Sequence, residues 1–448
     1  MIPSSVQRLS GWGRHPVETC RVYRPEKTSE LGEVLAVRPE GGVVSRGLGR
    51  AYGDAALNGG GAVVSHLRLG RMLAFDQASG VLEAEGGASF ADVVDAFLPR
   101  GWFLPVTPGT KHVTLGGAIA CDVHGKNHHR DGTIAAFVES FRLLTPARGV
   151  LTCSRAENAE LFWATLGGMG LTGAVLSARL RLLPVESAWV AVDHARTADL
   201  DCALERFADD AGYRYSVAWV DCLARGRRLG RGVLMRGDHA PASRVSGDPF
   251  ARRREGRLGV PLDAPSFALN RFTVGAFNRL YHALHRDRAG VLVPLEKFFY
   301  PLDGVRGWNR LYGRRGFVQH QSVVPPDRAD ALARLLERVA KAGRASFLAV
   351  LKRFGPANQG LLSFPRDGYT LALDFPVAPG LAELLRDLDR IVLDAGGRVY
   401  LAKDAALDRA AFAAMYPDAE RFRAVKACVD PDGVLSSSLA RRVGLADG

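Results

Sequence analysis

No two cysteines of this 448-residue sequence form a CxxC pair, and the six present (Cys20, Cys121, Cys153, Cys202, Cys222 and Cys428) are scattered along it. That spacing excludes a dense disulfide framework and suits reduced thiols in a cytosolic setting. No apolar run reaches about 18 residues, so a membrane-spanning helix is not expected. The opening MIPSSVQRLSGWGRHP lacks the apolar stretch of a secretory signal. These absences lead to the expectation of a cytoplasmic protein whose membrane contact, if any, is peripheral, at the inner membrane. There is also no long basic tail and no basic stretch interleaved with aromatics, which argues against a nucleic-acid partner. Lysine and arginine nevertheless outnumber aspartate and glutamate by 59 to 47, a net charge of +12 that favours an anionic partner. A phosphate-bearing small molecule or lipid satisfies that balance.

What is abundant is glycine, with 50 residues, in a chain that is 47% hydrophobic and 24% charged. The length calls for more than one domain. Residues 1–188 alternate short β-like runs with glycine turns, interrupted by helices such as SFADVVDAFLPRG, with Ser89 as N-cap, and ENAELFWATLGG. From about 190 the texture changes. YSVAWVD, GRGVLMRG, SFLAVLKRF, YTLALDFPV and RVYLAKD read as strands, and DRADALARLLERVAKAG and GLAELLRDLDRIVLDAGG read as amphipathic helices covering one side of them. The expected fold is α+β, with a second domain over 189–399 that contains a mobile loop at 237–266. A mostly helical segment, 400–448, is expected to return to the first domain.

Three glycine-rich loops occupy the first domain. In SRGLGRAYGDAALNGGG (45–61) the glycines tempt a Rossmann reading, but the spacing is GxGxxxG and the chain returns to a strand where a Rossmann helix should begin. Exposed loop amides facing a pyrophosphate are the physical alternative, because glycine permits close backbone approach. TPGTKHVTLGGAIACDVHGKNHH (107–129) and LGGMGLTGAVLSARLRLLP (166–184) supply the second and third loops. Together they point to a large dinucleotide. Within them CDVHGKNHHRDG (121–132) crowds Cys121, His124 and His128 at ligand-like gaps. No fourth ligand stands at standard spacing, so no metal site is expected.

The segments GLGRAYGDAALNGGG, PGTKHVTLGGAIACDVHGKNHHRDG, WATLGGMGLTG, YSVAWVD, FYPLD, WNRLYG, FVQHQ, VLKRFG and YLAKD together resemble the vanillyl-alcohol oxidase superfamily, whose FAD-binding fold is called PCMH-type. The likeness runs through nearly the whole chain, most closely to members that act on a polyprenyl-phosphate-linked ribose. It implies FAD held by Gly47, Gly49, Arg50, Ala51, Tyr52 and Gly53 on one side and by Thr110, Thr114, Gly116, Gly117 and Ala118 on the other. Gly125, Gly170, Thr172 and Gly173 are implied to approach the cofactor as well. Many members tether FAD to a histidine two residues after the second glycine of the first loop. Here that neighbourhood reads Gly49-Arg50-Ala51-Tyr52, which implies non-covalent FAD.

The same resemblance implies that His124, Lys126 and Lys403 take part in chemistry, Lys403 beside the flavin as well, with the proton acceptor open between His124 and Lys403. It implies a substrate pocket lined by Trp219, Tyr300, Gln319, Gln321 and Lys352. Ala372 and Thr370 stand where family members carry a cysteine and an asparagine. The implied reaction is oxidation of the ribose C2 hydroxyl to a 2-keto sugar, the first half of an epimerisation that a separate NAD(P)H-dependent short-chain reductase would complete. An aldose, alditol or aldonolactone oxidase is the alternative enzyme, and a non-enzymatic anion or nucleic-acid binder the alternative of another kind.

Overall fold

In the computed structural model, residues 2–209, 212–251, 258–265, 269–344 and 348–446 are described. Two small sheets build the N-terminal half. Strands Ser4–Ser10, Val17–Tyr23, Ala62–Ser65 and Val43–Arg46 form the first in that order, with its last three strands parallel. Met72–Asp76, Val81–Glu85, Ala174–Arg181, Val138–Thr145 and Gly149–Ser154 form the second, which is antiparallel. Ser89 caps the helix Phe90–Phe97 by accepting from the Asp92 amide, as its side chain predicts. The short helix Leu115–Ala120, capped by Thr114, lies inside the second glycine loop and was not legible there.

An eight-stranded antiparallel sheet dominates the C-terminal half, in the order Arg288–Pro294, Trp189–Thr197, Gly232–His239, Tyr215–Val220, Ala349–Phe354, Gly368–Pro376, Phe317–Val324, Arg398–Val399. The cross-strand register puts Trp219 opposite Val350, Val350 opposite Ala372, and Ala372 opposite Gln321. Because side chains alternate by two, one face carries Trp219, Lys352, Thr370, Ala372, Asp374, Gln319 and Gln321. The opposite face presents Leu351, Leu371, Leu373 and His320 to the helical side, where His320 Nε2 lies 3.1 Å from Asp389 Oδ1 of the helix Leu381–Asp394. That helix and Asp330–Ala342 bury Leu332, Leu335, Leu336, Leu384, Leu385 and Leu388. One side of the sheet is therefore closed with hydrocarbon, and the polar side turns toward the glycine loops.

RVYLAKD departs from the expected strand. Only Arg398–Val399 pairs, after which the amides of Lys403 and Asp404 both donate to Tyr400 O, at 2.9 and 3.0 Å, and close a turn. The C-terminal segment packs on the N-terminal sheet. Val43 and Val434 share a backbone bond of 2.8 Å, and Arg442 bridges Asp54 and Asp404 at 2.7 and 2.8 Å. Of the 237–266 loop, the described part holds a strand end at His239, a helical turn Ala242–Arg244 and a short bridge Leu258–Gly259. Residues 252–257 and 266 lie outside the described residues.

Candidate active site

The first glycine loop leaves the strand Val43–Arg46 and turns at Gly49, whose φ is +65°. Arg46 braces it by donating to Ser10 O at 2.7 Å and Ala56 O at 3.1 Å. Among the described residues, the amides of Gly47, Leu48, Gly49 and Arg50 have no hydrogen-bond acceptor. Four neighbouring donors without acceptors form a concave site for an anion. A Cβ on Gly47 would overlap Thr114 Oγ1, so the first loop can touch the second only as glycine. In the third loop Gly170 has φ +78° and open space around it. Donors, contact and open space together fit a pyrophosphate-bearing dinucleotide such as FAD.

Three residues implied as cofactor contacts are also packed closely against the protein itself. Thr172 turns its hydroxyl to Thr165 Oγ1 at 3.0 Å, and a Cβ on Gly173 would meet Leu144 O at 2.6 Å. A Cβ on Gly125 would meet Asn127 Oδ1 at 2.6 Å and Thr107 O at 3.0 Å. These three positions are set by packing against the protein itself. Ala118 is buried on the inner side of its short helix, and Gly116 donates to Gly86 O at 2.7 Å. Gly117 donates to Thr114 Oγ1 at 3.3 Å, and the Thr110 hydroxyl accepts from the His112 amide at 3.2 Å. Arg50 stacks its guanidinium 3.9 Å over the Trp12 ring.

Where the two halves meet, Tyr52 and Lys403 come together. The Lys403 ammonium lies 3.8 Å over the Tyr52 ring, and the Tyr52 amide donates to Ala402 O at 3.0 Å. A Cβ on Gly53 would overlap Asp404 O. Burial lowers the Lys403 pKa to about 8 although Asp374 opposes the shift. Lys352 is brought to about 8 by burial and by Lys403. Lys126 is brought to about 7 by burial and by Lys352. Burial lifts Asp374 the other way, to about 7, against the pull of Gln319 and Lys403. Gln319 Nε2 donates to Asp374 Oδ1 at 2.6 Å, and the Tyr312 hydroxyl donates to Oδ2 at 3.3 Å.

His124 enters this chamber from the end of the second loop. Asp122 prepares the turn with φ +41° and is tied to Asn358 at 2.6 Å and Ser363 at 2.5 Å from the second half. The imidazole sits among Phe354, Phe364 and Tyr400. Burial, with Lys352, keeps it neutral by pushing its pKa well down. Gln321 Nε2 lies 3.0 Å from His124 Nε2. An amide nitrogen can only donate, so His124 Nε2 accepts and the ring proton resides on Nδ1. Nδ1 is buried with no partner among the described residues. Gln321 also donates to Thr370 Oγ1 at 3.3 Å.

Two implied residues serve the junction between the halves. Lys126 Nζ donates to Phe298 O at 2.9 Å and Phe299 O at 3.2 Å. The Tyr300 hydroxyl pairs with Thr107 Oγ1 at 2.9 Å, fully buried. Trp219 lies on the chamber face of the sheet with its ring 4.6 Å from Tyr281. His128 accepts from the Gly355 amide at 3.1 Å and His129 Nε2 sits 3.0 Å from Tyr213 O, so neither faces the chamber. No cluster of three or more metal-ligating side chains occurs among the described residues. Sequence reasoning missed Asp374, although the alternation of Thr370, Ala372 and Asp374 in TLALDFP puts it on the same face.

A FAD binding domain family matches residues 20–154, and a D-arabinono-1,4-lactone oxidase family matches residues 329–443. The chain is thus a flavin-dependent oxidoreductase of the FAD-binding oxidase class. It is 38% identical to the decaprenylphosphoryl-β-D-ribose oxidase of Mycolicibacterium smegmatis over 99% of this chain and 98% of that one. An uncharacterized Streptomyces coelicolor protein is 41% identical over 79% of this chain and 99% of its own length. The L-gulono-1,4-lactone dehydrogenase of Mycobacterium tuberculosis is 24% identical over 97% of this chain and 98% of that one. The chain belongs to the decaprenylphosphoryl-β-D-ribose oxidase family.

Proposed function

We propose that the protein oxidises the C2 hydroxyl of a polyprenyl-phosphoryl-β-D-ribose to the 2-keto sugar. The observation that carries this reading is the chamber itself, where Lys126, Lys352 and Lys403 gather round Asp374 beside His124 and Gln321, while the neighbouring buried carboxylates are engaged elsewhere, Asp122 with Asn358 and Ser363 and Asp404 with Arg442. Such an excess of buried cations fits a substrate that brings its own negative charge. FAD supplies the acceptor for the two electrons and hydrogen that leave C2. The free amides of Gly47–Arg50 and the Thr114 edge would hold its pyrophosphate without a covalent link, and Lys403 would lie at its ring.

The residues then divide the remaining work. Neutral His124, fixed by Gln321, offers Nδ1–H as a donor that orients the sugar. Lys403 and Lys352, with pKa values near 8, are each partly neutral at mildly alkaline pH and can take the hydroxyl proton. Trp219 and Gln319 line the same sheet face and would bound the sugar. The 2-keto product requires a second, NAD(P)H-dependent reductase to become the arabinose form.

Anaerobic bleaching of the bound flavin by polyprenyl-phosphoryl ribose, compared with free alditols and aldonolactones, tests the reading. Reduction by the lipid sugar is expected. Bleaching by the free sugars alone would establish instead the lactone or alditol oxidase that the match over 329–443 favours. A His124→Ala protein that binds flavin and is reduced at full speed would remove His124 from the chemistry.

A further inference from the structure

The helix Arg271–Leu284 is built inside out. Its inner side buries Val274, Asn278 and His282, and Asn278 Nδ2 donates to Asp221 Oδ1 at 2.7 Å. Tyr281 on that side rests on Trp219 of the chamber. Its outer side exposes Phe272 (70%), Phe277 (44%), Leu280 (59%) and Leu284 (70%). At about 100° per residue these four, with Ala276 and Ala283, span about 140° of the helix. An ordinary surface helix carries polar groups outward and apolar ones inward. Here two polar side chains are buried and hydrogen-bonded inside while the large apolar ones face water, an arrangement that single scattered leucines do not produce.

The charge around this stripe is of one sign. Over 271–289 the sequence holds four arginines (Arg271, Arg279, Arg286 and Arg288) against one carboxylate, Asp287. All four are exposed, and Asp287 already accepts the Arg196 amide at 2.8 Å. A second copy of the chain would bring the same arginines against these, so self-association through this face is opposed. Apolar side chains bordered by arginine match the acyl boundary and anionic headgroups of a bilayer.

We propose that the outer face of Arg271–Leu284 docks on the surface of an anionic lipid bilayer, seating the chamber roof against the membrane. The inference rests on the reading of a lipid-linked substrate, because a polyprenyl chain resides in a bilayer while its sugar must reach Trp219 beneath this helix.

The test is co-sedimentation of the flavin-loaded protein with phosphatidylcholine vesicles containing or lacking phosphatidylglycerol. Binding only to the anionic vesicles is expected, weakened by salt. The Phe272→Ser/Leu280→Ser/Leu284→Ser protein, with flavin content and melting unchanged, is expected to lose more than about tenfold in binding. It should still oxidise detergent-dispersed substrate at the wild-type rate. Wild-type protein left in the supernatant of anionic vesicles overturns the proposal, as does equal binding by the triple variant. Wild-type dimers in light scattering that the triple variant abolishes also overturn it, by identifying a second copy as the occupant. Vesicle binding without oxidation of the lipid sugar supports the surface and sinks the substrate reading alone.

Discussion

Lowering the charge of the chamber by raising pH should weaken substrate binding by an amount that the lysines set. Lys352 and Lys403 each titrate at about 8. A lysine with that pKa is charged in about nine of ten molecules at pH 7 and in about one of ten at pH 9. A phosphodiester keeps its single charge over the whole range, so the change belongs to the protein. If one of these lysines pairs with the substrate phosphate, affinity falls about tenfold between pH 7 and pH 9, about 1.4 kcal/mol. If both do, it falls about a hundredfold. The assay is the dissociation constant of the substrate, or of a polyprenyl phosphate competitor, read from flavin absorbance across that range. Lys352→Met should lower affinity at pH 7 toward the wild-type value at pH 9 and remove about one tenfold step from the pH dependence. An affinity that stays flat from pH 7 to pH 9 would refute the assignment of these lysines to an anionic ligand.

Asp374 has a folded pKa of about 7 against an ordinary 3.8, so the unfolded chain releases this proton first as pH rises. Stability is unaffected below about pH 4, declines from there to about pH 7, and above that is lower by at most about 4 kcal/mol. Asp374→Asn, which keeps an acceptor for Gln319, should therefore match the wild-type denaturant midpoint at pH 4 and exceed it at pH 8. Gly47→Ala places a methyl group on Thr114 Oγ1 and should yield folded protein with most of its flavin absorbance lost. Arg442→Ala leaves the buried carboxylates of Asp54 and Asp404 without their cation. It should cost on the order of 3 kcal/mol in unfolding free energy measured with denaturant.

What the sequence disclosed followed from how local each signal was. The N-cap Ser89 and the strands YSVAWVD and YTLALDFPV declare themselves through a hydroxyl at a helix start and through runs of β-formers, and the structure places them there. Gln319 and Gln321 could be put on one face because a strand repeats every two residues. Alternation also groups Asp374 with Thr370 and Ala372, but that it lies opposite Gln319 depends on register between strands far apart in sequence. The turn in RVYLAKD was hidden for a related reason. Its residues favour a strand, and the Tyr400 amide still donates to Gln321 O at 2.8 Å, but the Tyr400 carbonyl then closes a turn and its hydroxyl reaches Cys121 O, 2.8 Å away in the second glycine loop.

The helix Arg271–Leu284 makes the converse point. Its apolar residues recur at helical spacing, yet the absence of an interior to bury them made the periodicity unreadable as a core-facing pattern. A period tells which residues lie together and not which way they face. The direction was fixed by Asn278 and His282, whose inward hydrogen-bonding partners are Asp221, just past the strand Tyr215–Val220, and the Thr197 carbonyl at the end of the strand Trp189–Thr197. The lysines of the chamber obey the same logic. Lys126, Lys352 and Lys403 would each pass alone as a solvated side chain. Only the fold, by bringing three loops and a sheet face together, turns three ordinary cations into one electrostatic site with a large neutral fraction near pH 8.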